Sequence, residues 1–156
     1  MLSHSQNFIK NKNLVADLMH YVNFSDVDVV LEIGPGTGTI TDALVQRAKK
    51  VIAVEADKRL YRALEKRYTG VHNLRLENED FLRYPLPHEP FLVVSNIPFN
   101  ITADIIRKIT DTSSRLRAAY LIVQKEAAVK LGGAPSAHSP LFSHFLNINF
   151  EVKRVT

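Results

Sequence analysis

The sequence predicts an α/β fold, a mainly parallel central sheet flanked by helices, and three observations carry that prediction. Short apolar runs of strand length alternate with stretches of helical periodicity. The first of these runs passes directly into a glycine-rich turn, Gly34-Pro35-Gly36-Thr37-Gly38, that opens a helix. Polar residues suited to ligand contact then follow later runs, at Glu55, Asn78-Glu79-Asp80 and Asn96, where open α/β sheets bind ligands.

The elements follow in order. Leu14, Leu18, Met19 and Val22 recur at helical spacing and predict an amphipathic helix over about 11–22. Val29-Val30-Leu31-Glu32-Ile33 is a short buried strand, and the residues from 39 to about 47 after the glycine turn are helical. Val51-Ile52-Ala53-Val54 is a second strand closed by Glu55, and Asp57 is placed to cap a helix running to about residue 68. Leu74-Arg75-Leu76 alternates as a third strand. Phe91-Leu92-Val93-Val94-Ser95 is a fourth, ending at Asn96-Ile97-Pro98-Phe99. Ile105, Ile106 and Ile109 share one side of a helix from Thr102 to about Thr110, and residues 118–123 form a fifth strand. Beyond it the pattern predicts a helix over 124–131, a loop over 132–140, a helix over 141–148 and a strand beginning at 151. A strand that reaches the last residue reads as one that continues, so the expectation is a single domain, 1–156, cut from a longer protein.

Composition bounds the function. The chain has 156 residues, 46% of them hydrophobic and 23% charged, which fits one globular domain and is too apolar for a disordered chain. With no cysteine, a disulfide scaffold, a thiol nucleophile and a cysteine zinc site are excluded. The histidines show no metal-ligand spacing. No apolar run approaches the roughly 18–20 residues of a membrane span, and the first residues lack a basic-then-apolar signal pattern. The expectation is a cytoplasmic protein with no metal and no membrane partner. Twenty Lys and Arg against sixteen Asp and Glu leave a net charge of +4, a modest excess that suits a polyanionic partner.

Five segments carry chemistry. In Glu32-Ile33-Gly34-Pro35-Gly36-Thr37-Gly38, glycines let backbone approach a ligand. The turn lacks the Gly-x-x-x-x-Gly-Lys-Ser/Thr pattern of a phosphate-cradling loop, and Glu32 just before it favours a cationic or amine-bearing ligand. Alone, the turn also reads as a plain strand-to-helix connection. Glu55 lies about 20 residues past the glycines, where a carboxylate accepts both ribose hydroxyls of a nucleoside; alone it reads as a strand-end charge. Asp80 can accept a hydrogen bond from an adenine exocyclic amine and Phe81 can supply an apolar wall, although the segment also reads as a polar turn. Asn96-Ile97-Pro98-Phe99 is the most informative. An exocyclic adenine amine is a poor nucleophile because its lone pair is delocalised into the ring. A site that methylates it must accept hydrogen bonds from both amine hydrogens. The Asn96 side-chain oxygen and the Ile97 carbonyl can do so, with Pro98 stiffening the turn and Phe99 stacking on a flipped-out base. Ahead of the first helix, Gln6 and Asn7 in Ser5-Gln6-Asn7-Phe8-Ile9 read equally as a helix cap or as ligand contacts.

Together these segments resemble the rRNA adenine N6-methyltransferases, the group that holds the erythromycin-resistance methylases and the small-subunit dimethyladenosine transferases. The resemblance rests on His4-Ser5-Gln6-Asn7-Phe8-Ile9, the 32–38 turn, Glu55, Glu79-Asp80-Phe81, Asn96-Ile97-Pro98-Phe99-Asn100-Ile101, Asp104-Ile105-Ile106-Arg107-Lys108-Ile109 and Tyr120-Leu121-Ile122-Val123. It implies a Rossmann-like fold that uses S-adenosylmethionine. It places Gln6, Asn7 and Ile9 at the cofactor, Gly34 and Gly36 at its methionine part, Glu55 at the ribose and Asp80 at the adenine amine. It brings Asn96, Ile97 and Phe99 to the target adenine and implies direct in-line methyl transfer without metal or covalent intermediate.

His4-Ser5-Gln6-Asn7-Phe8 and the 96–109 segment look like the resistance branch, which methylates one large-subunit adenine and blocks macrolide, lincosamide and streptogramin B binding; this branch is favoured. Gln124-Lys125-Glu126-Ala127 looks more like the small-subunit branch. Phe99 stands where the family often has Tyr. The family's last strand and C-terminal helical RNA-binding domain are missing from the 156 residues. Of the basic residues considered for phosphate contact (Lys10, Lys12, Arg107, Lys108, Arg115, Arg117, Lys125, Lys130, Lys153 and Arg154), Lys10, Lys12, Lys125 and Lys130 are the ones expected to flank an RNA groove. The partner is then rRNA with a single-stranded or flipped-out adenine, bound by a monomer. Two other readings are a non-catalytic RNA-binding relative, against which the intact Asn96-Ile97-Pro98-Phe99 argues, and a methyltransferase for DNA adenine or a small amine. The Ile at position 97, where DNA enzymes usually carry Pro, disfavours the last.

Overall fold

Among the described residues the apolar runs become strands, the first four of them left through a helix or a long connection, and the strand pairings are all parallel. The computed structural model describes residues 12–25, 27–111 and 115–123, with Lys12 and Phe99 described by their backbone alone. In order these form α1 (Lys12–Tyr21), β1 (Val29–Ile33), α2 (Thr39–Leu44), β2 (Lys50–Val54), α3 (Lys58–Arg67), β3 (Leu74–Glu77), β4 (Phe91–Asn96), a 3-10 turn (Phe99–Ile101), α4 (Thr102–Thr110) and β5 (Leu116–Ile122). The elements expected over 124–156 lie outside the described residues, as do Gln6, Asn7, Ile9, Lys10, Lys125 and Lys130.

The five strands run in the order β3-β2-β1-β4-β5. β1 is buried at every position, as a central parallel strand covered on both faces must be, and β4 is buried up to Ser95. On one face Val30, Val51, Leu92 and Val94 pack against Val15, Met19 and Val22 from α1 and its end, and against Ile40 and Leu44 of α2. Each such buried aliphatic side chain contributes roughly 1.5–3 kcal/mol of transfer free energy. Ile105, Ile106 and Ile109 of α4 are buried as their spacing predicts.

Two expectations shift. The buried stripe of α1 runs through Val15, Met19 and Val22, while Leu14 is 42% exposed. α2 ends at Leu44 rather than near residue 47, and the chain continues as a turn. Arg47 then donates to the Met19 carbonyl (3.1 Å), and Asn73 donates to the Val45 and Ala48 carbonyls (2.8 and 3.0 Å), so side chains satisfy groups at the ends of both helices.

The chain moves outward from β1 through β2 to β3, then returns to place β4 on the other side of β1. That reversal is a topological switch point, where open α/β sheets bind ligands. β1 and β2 stay in register to Ile33 and Val54, whereas β1 and β4 pair only as far as Leu31 and Val93. Beyond those residues the two strands part, and the buried Ser95 hydroxyl reaches across to donate to the Ile33 carbonyl.

Candidate active site

Because the sheet is parallel, the C-terminal ends of its strands share one edge, and the glycine turn, Glu55, the 78–84 segment and Asn96-Ile97-Pro98 all begin there. The glycine turn is fastened to the sheet by the Gly34 amide, which donates to the Val54 carbonyl (2.9 Å), and closed by Gly38 N to the Pro35 carbonyl (2.9 Å). Gly34 has φ +64°, and a Cβ placed there would meet no atom within 4 Å, so its backbone borders open space. Gly38, at φ +86°, is the opposite case: a Cβ would lie 2.5 Å from the Tyr68 hydroxyl.

Glu55 is 2% exposed, and both of its carboxylate oxygens accept backbone amides: Oε2 from Gly36 (3.0 Å) and Oε1 from Asp57 (2.9 Å). One side chain therefore spans the glycine turn and the start of α3, whose cap Asp57 accepts from Arg59 and Leu60 (2.7 and 3.1 Å) as its position predicts. Each oxygen keeps a further lone pair for a ligand.

Glu32, in β1 just before the turn, is enclosed. It is 1% exposed, and the Thr41 hydroxyl of α2 donates to its Oε2 (2.7 Å). Burial, reinforced by the negative charges of Glu55 and Asp42 and opposed by the Thr41 bond, pushes its pKa up to about 8. Burial therefore favours the protonated carboxyl near neutral pH.

After β3, Asn78 donates to the Glu55 carbonyl (2.8 Å), and the chain folds into a single turn in which Arg83 and Tyr84 donate to the Asp80 carbonyl (2.9 and 3.0 Å). Asp80 is exposed, with Oδ1 accepting from Leu82 N (2.9 Å), and Phe81 is buried. At the end of β4, Asn96 is half-buried, and the buried Ile97 that follows donates its amide to the Ile122 carbonyl (3.2 Å). The Pro98 carbonyl accepts from the Thr102 hydroxyl (2.9 Å) and from Ile101 N (3.4 Å), which turns the chain directly into α4. Phe99 lies in the 3-10 turn; its ring is outside the described atoms.

Sequence reasoning missed the partners that hold this edge together. Ser95 stands out only as the polar residue ending an apolar run. Tyr68 donates to the Gly38 carbonyl (2.9 Å) or Asp42 (2.8 Å), and Arg67 pairs with Asp42 and donates to the Thr37 carbonyl (2.6 Å). Burial and the Asp42 bond push the Tyr68 hydroxyl pKa up. Lys108, considered for phosphate contact, instead spends its ammonium on the carbonyls of Phe81, Leu82 and Tyr84, because α4 packs it over that turn. Arg107 pairs with Asp104 (3.2 Å), and Arg115 donates to the His88 carbonyl. A shallow cleft of about 470 Å³ lies at the other edge of the sheet, beside Val29, Lys50 and Pro90, but Lys50 is paired with Glu89 (2.9 Å) and no motif residue reaches it. Among the described residues no cluster of His, Asp or Glu is set to hold a metal ion, and no helix is long and apolar enough to cross a membrane.

Residues 2–155 match the ribosomal RNA adenine dimethylase family. The chain belongs to that family. Among adenine dimethylase relatives, the ribosomal RNA small subunit methyltransferase A of Fusobacterium nucleatum is 39% identical over 132 residues, covering 82% of this chain and 50% of its own length. The crystal structure of the 23S rRNA methyltransferase ErmE superposes with a TM-score of 0.75 at 33% identity, covering 81% of this chain and 52% of that one. A dimethyladenosine transferase from Plasmodium falciparum gives 0.71 at 32% identity, covering 80% and 46%. The chain thus spans about half the length of the relatives it matches. The fold is the Rossmann-like one of S-adenosylmethionine-dependent methyltransferases.

Proposed function

We propose that this chain forms the cofactor-binding catalytic domain of an enzyme that transfers methyl groups from S-adenosylmethionine to the N6 amine of an adenine in ribosomal RNA. The observation that carries the reading is the single sheet edge on which Gly34, Glu55, Asp80 and Asn96 follow four parallel strands around a switch point. The residues present fit the cofactor: Gly34 borders open space, and Glu55 keeps acceptor capacity beside the glycine turn. The bound sulfonium supplies an electrophilic methyl group. In this reading Gly34 and Gly36 lie against the methionine part, with Gln6, Asn7 and Ile9 contributing from ahead of α1. Glu32 answers the ligand's positive charge by losing its proton to solvent as the ligand binds. Glu55 accepts the ribose hydroxyls, Asp80 accepts the adenine amine and Phe81 walls the base. Asn96 and the Ile97 carbonyl accept the two hydrogens of the target amine and so localise its lone pair. Pro98 holds the turn, Phe99 stacks on the base, and Lys10, Lys12, Lys125 and Lys130 flank the RNA.

Two observations favour different RNAs. The likeness to ErmE and the Asn96–Ile101 and Asp104–Ile109 motifs support a large-subunit adenine and resistance to macrolides, lincosamides and streptogramin B. The name of the Fusobacterium relative, with Gln124-Lys125-Glu126-Ala127, supports small-subunit rRNA. Methyl incorporation from labelled S-adenosylmethionine into unmodified large- and small-subunit rRNA, duplex DNA and small amines separates these. We expect transfer to rRNA alone. Asn96→Ala is expected to abolish turnover while leaving calorimetric cofactor binding within about threefold of wild type, a loss of stabilisation specific to the transition state. An Asn96→Ala protein with full activity would refute the mechanism.

A further inference from the structure

The turn over 80–84 ends without continuing into a helix: the Phe81 carbonyl accepts the Tyr84 amide (3.2 Å), and the carbonyls of Leu82 and Tyr84 have no helical partner. Lys108 answers them from α4: its Nζ lies 2.8 Å from the Phe81 carbonyl, 2.8 Å from that of Leu82 and 2.6 Å from that of Tyr84. An ammonium has three donors and no acceptor, so donors and carbonyls match one to one. The same nitrogen sits 5.2 Å from the centre of the Phe81 ring. Burial lowers the lysine's pKa, and the negative charge of Asp80 opposes that shift. The other end of α4 is fastened to the second half of the site, since Thr102 donates to the Pro98 carbonyl (2.9 Å). Thr102 and Lys108 are six residues apart, about 9 Å along the helix axis. α4 is therefore a short rigid strut between the turn bearing Asp80 and Phe81 and the turn bearing Asn96, Ile97 and Pro98.

We propose that Lys108 is a positioning residue that fixes the Asp80–Phe81 turn against the Asn96–Phe99 turn and thereby sets the selectivity of the cofactor pocket for adenine. The proposal rests on the reading that Asp80 accepts the adenine amine. Lys108 touches neither ligand and acts through the carbonyls it holds. An apolar residue there leaves the Leu82 and Tyr84 carbonyls without this donor and the Phe81 carbonyl with the Tyr84 amide alone (3.2 Å), and lets the turn move, and with it the Asp80 carboxylate.

The test is calorimetric titration of the whole chain with S-adenosylhomocysteine and with S-inosylhomocysteine, whose base carries an oxygen where adenine carries the amine. Wild type is expected to prefer the adenine ligand on the order of tenfold or more, the size of a hydrogen bond to a charged acceptor. In Lys108→Met the preference is expected to fall below about threefold, because the acceptor is no longer held in place. General loosening of the fold weakens both ligands alike and leaves the ratio unchanged, so an unchanged ratio in Lys108→Met overturns the proposal. If that variant does not fold, Lys108→Gln, with two donors for three carbonyls, is expected to give an intermediate ratio, and a wild-type ratio there overturns it equally. A wild-type protein that shows no preference removes the Asp80 reading, and the proposal falls with it.

Discussion

At the scale of single residues, Gly34 separates backbone conformation from ligand binding. Its φ of +64° means that any L side chain there costs about 1–2 kcal/mol of strain. Its surroundings cost nothing further, because an added Cβ meets no atom within 4 Å. Gly34→Ala is therefore expected to fold, with a melting temperature lowered by roughly 2–8 °C for a domain of this size. Its affinity for S-adenosylmethionine is expected to fall more than tenfold, since the new methyl fills the space a ligand would use against the backbone. Thermal denaturation and calorimetry on the same preparation report the two effects. A folded variant with undiminished affinity would show that the cofactor does not lie there. Gly38 gives the internal control in the structure itself: there the crowding neighbour is Tyr68, not open space.

Among the elements, α3 does two jobs from its two ends. Its N-terminus begins beside Glu55, which binds Gly36 and Asp57, and its C-terminus delivers Arg67 and Tyr68 back to Thr37, Gly38 and Asp42. The glycine turn is thus gripped by one helix at both ends. Tyr68→Phe keeps the ring and removes only the hydroxyl donor, so urea unfolding is expected to show a loss of about 1–2 kcal/mol. Unchanged stability would mean that the turn does not depend on this grip. The α3 cap at Asp57 was legible because a cap is local: the acceptor and its amides are two and three residues apart. The strands were legible for the same reason, since a parallel core strand is a short apolar run. The grip was not, because Tyr68 and Gly38 are thirty residues apart and only the fold brings them together. The role of Lys108 was not legible on the same account: on the sequence it is one of several basic residues considered for phosphate contact, and in the fold it faces carbonyls 24 to 27 residues earlier. The exposed Leu14 and buried Val15 show a further limit, because helical spacing gives a stripe, whereas the rotation of α1 against the sheet decides which apolar residues fill it.

For the molecule as a whole, the consequential group is Glu32, buried in the central strand with its carboxyl bonded to Thr41. A glutamate directly before a glycine turn is equally compatible with a charge facing a ligand and with an enclosed acid, so its protonation state could be read only from the fold. In the unfolded chain it ionises near 4.5; in the folded protein burial holds its proton up to about pH 8. Between those values the folded state binds more protons than the unfolded state, so stability falls as pH rises. The contribution is complete below the unfolded pKa and lost as pH passes the folded one, with a slope of at most about 1.4 kcal/mol per pH unit. Glu32→Gln keeps the shape and an oxygen for Thr41 but cannot ionise. Measured by urea unfolding without ligand at pH 5, 6.5 and 8, the variant is expected to gain on wild type steadily across the series. The other titrating groups are common to both proteins, so the difference between the two curves isolates Glu32. Parallel curves would mean that the carboxylate is already ionised inside the fold, and that the charges of Glu55 and Asp42 are balanced there by something other than a proton on Glu32.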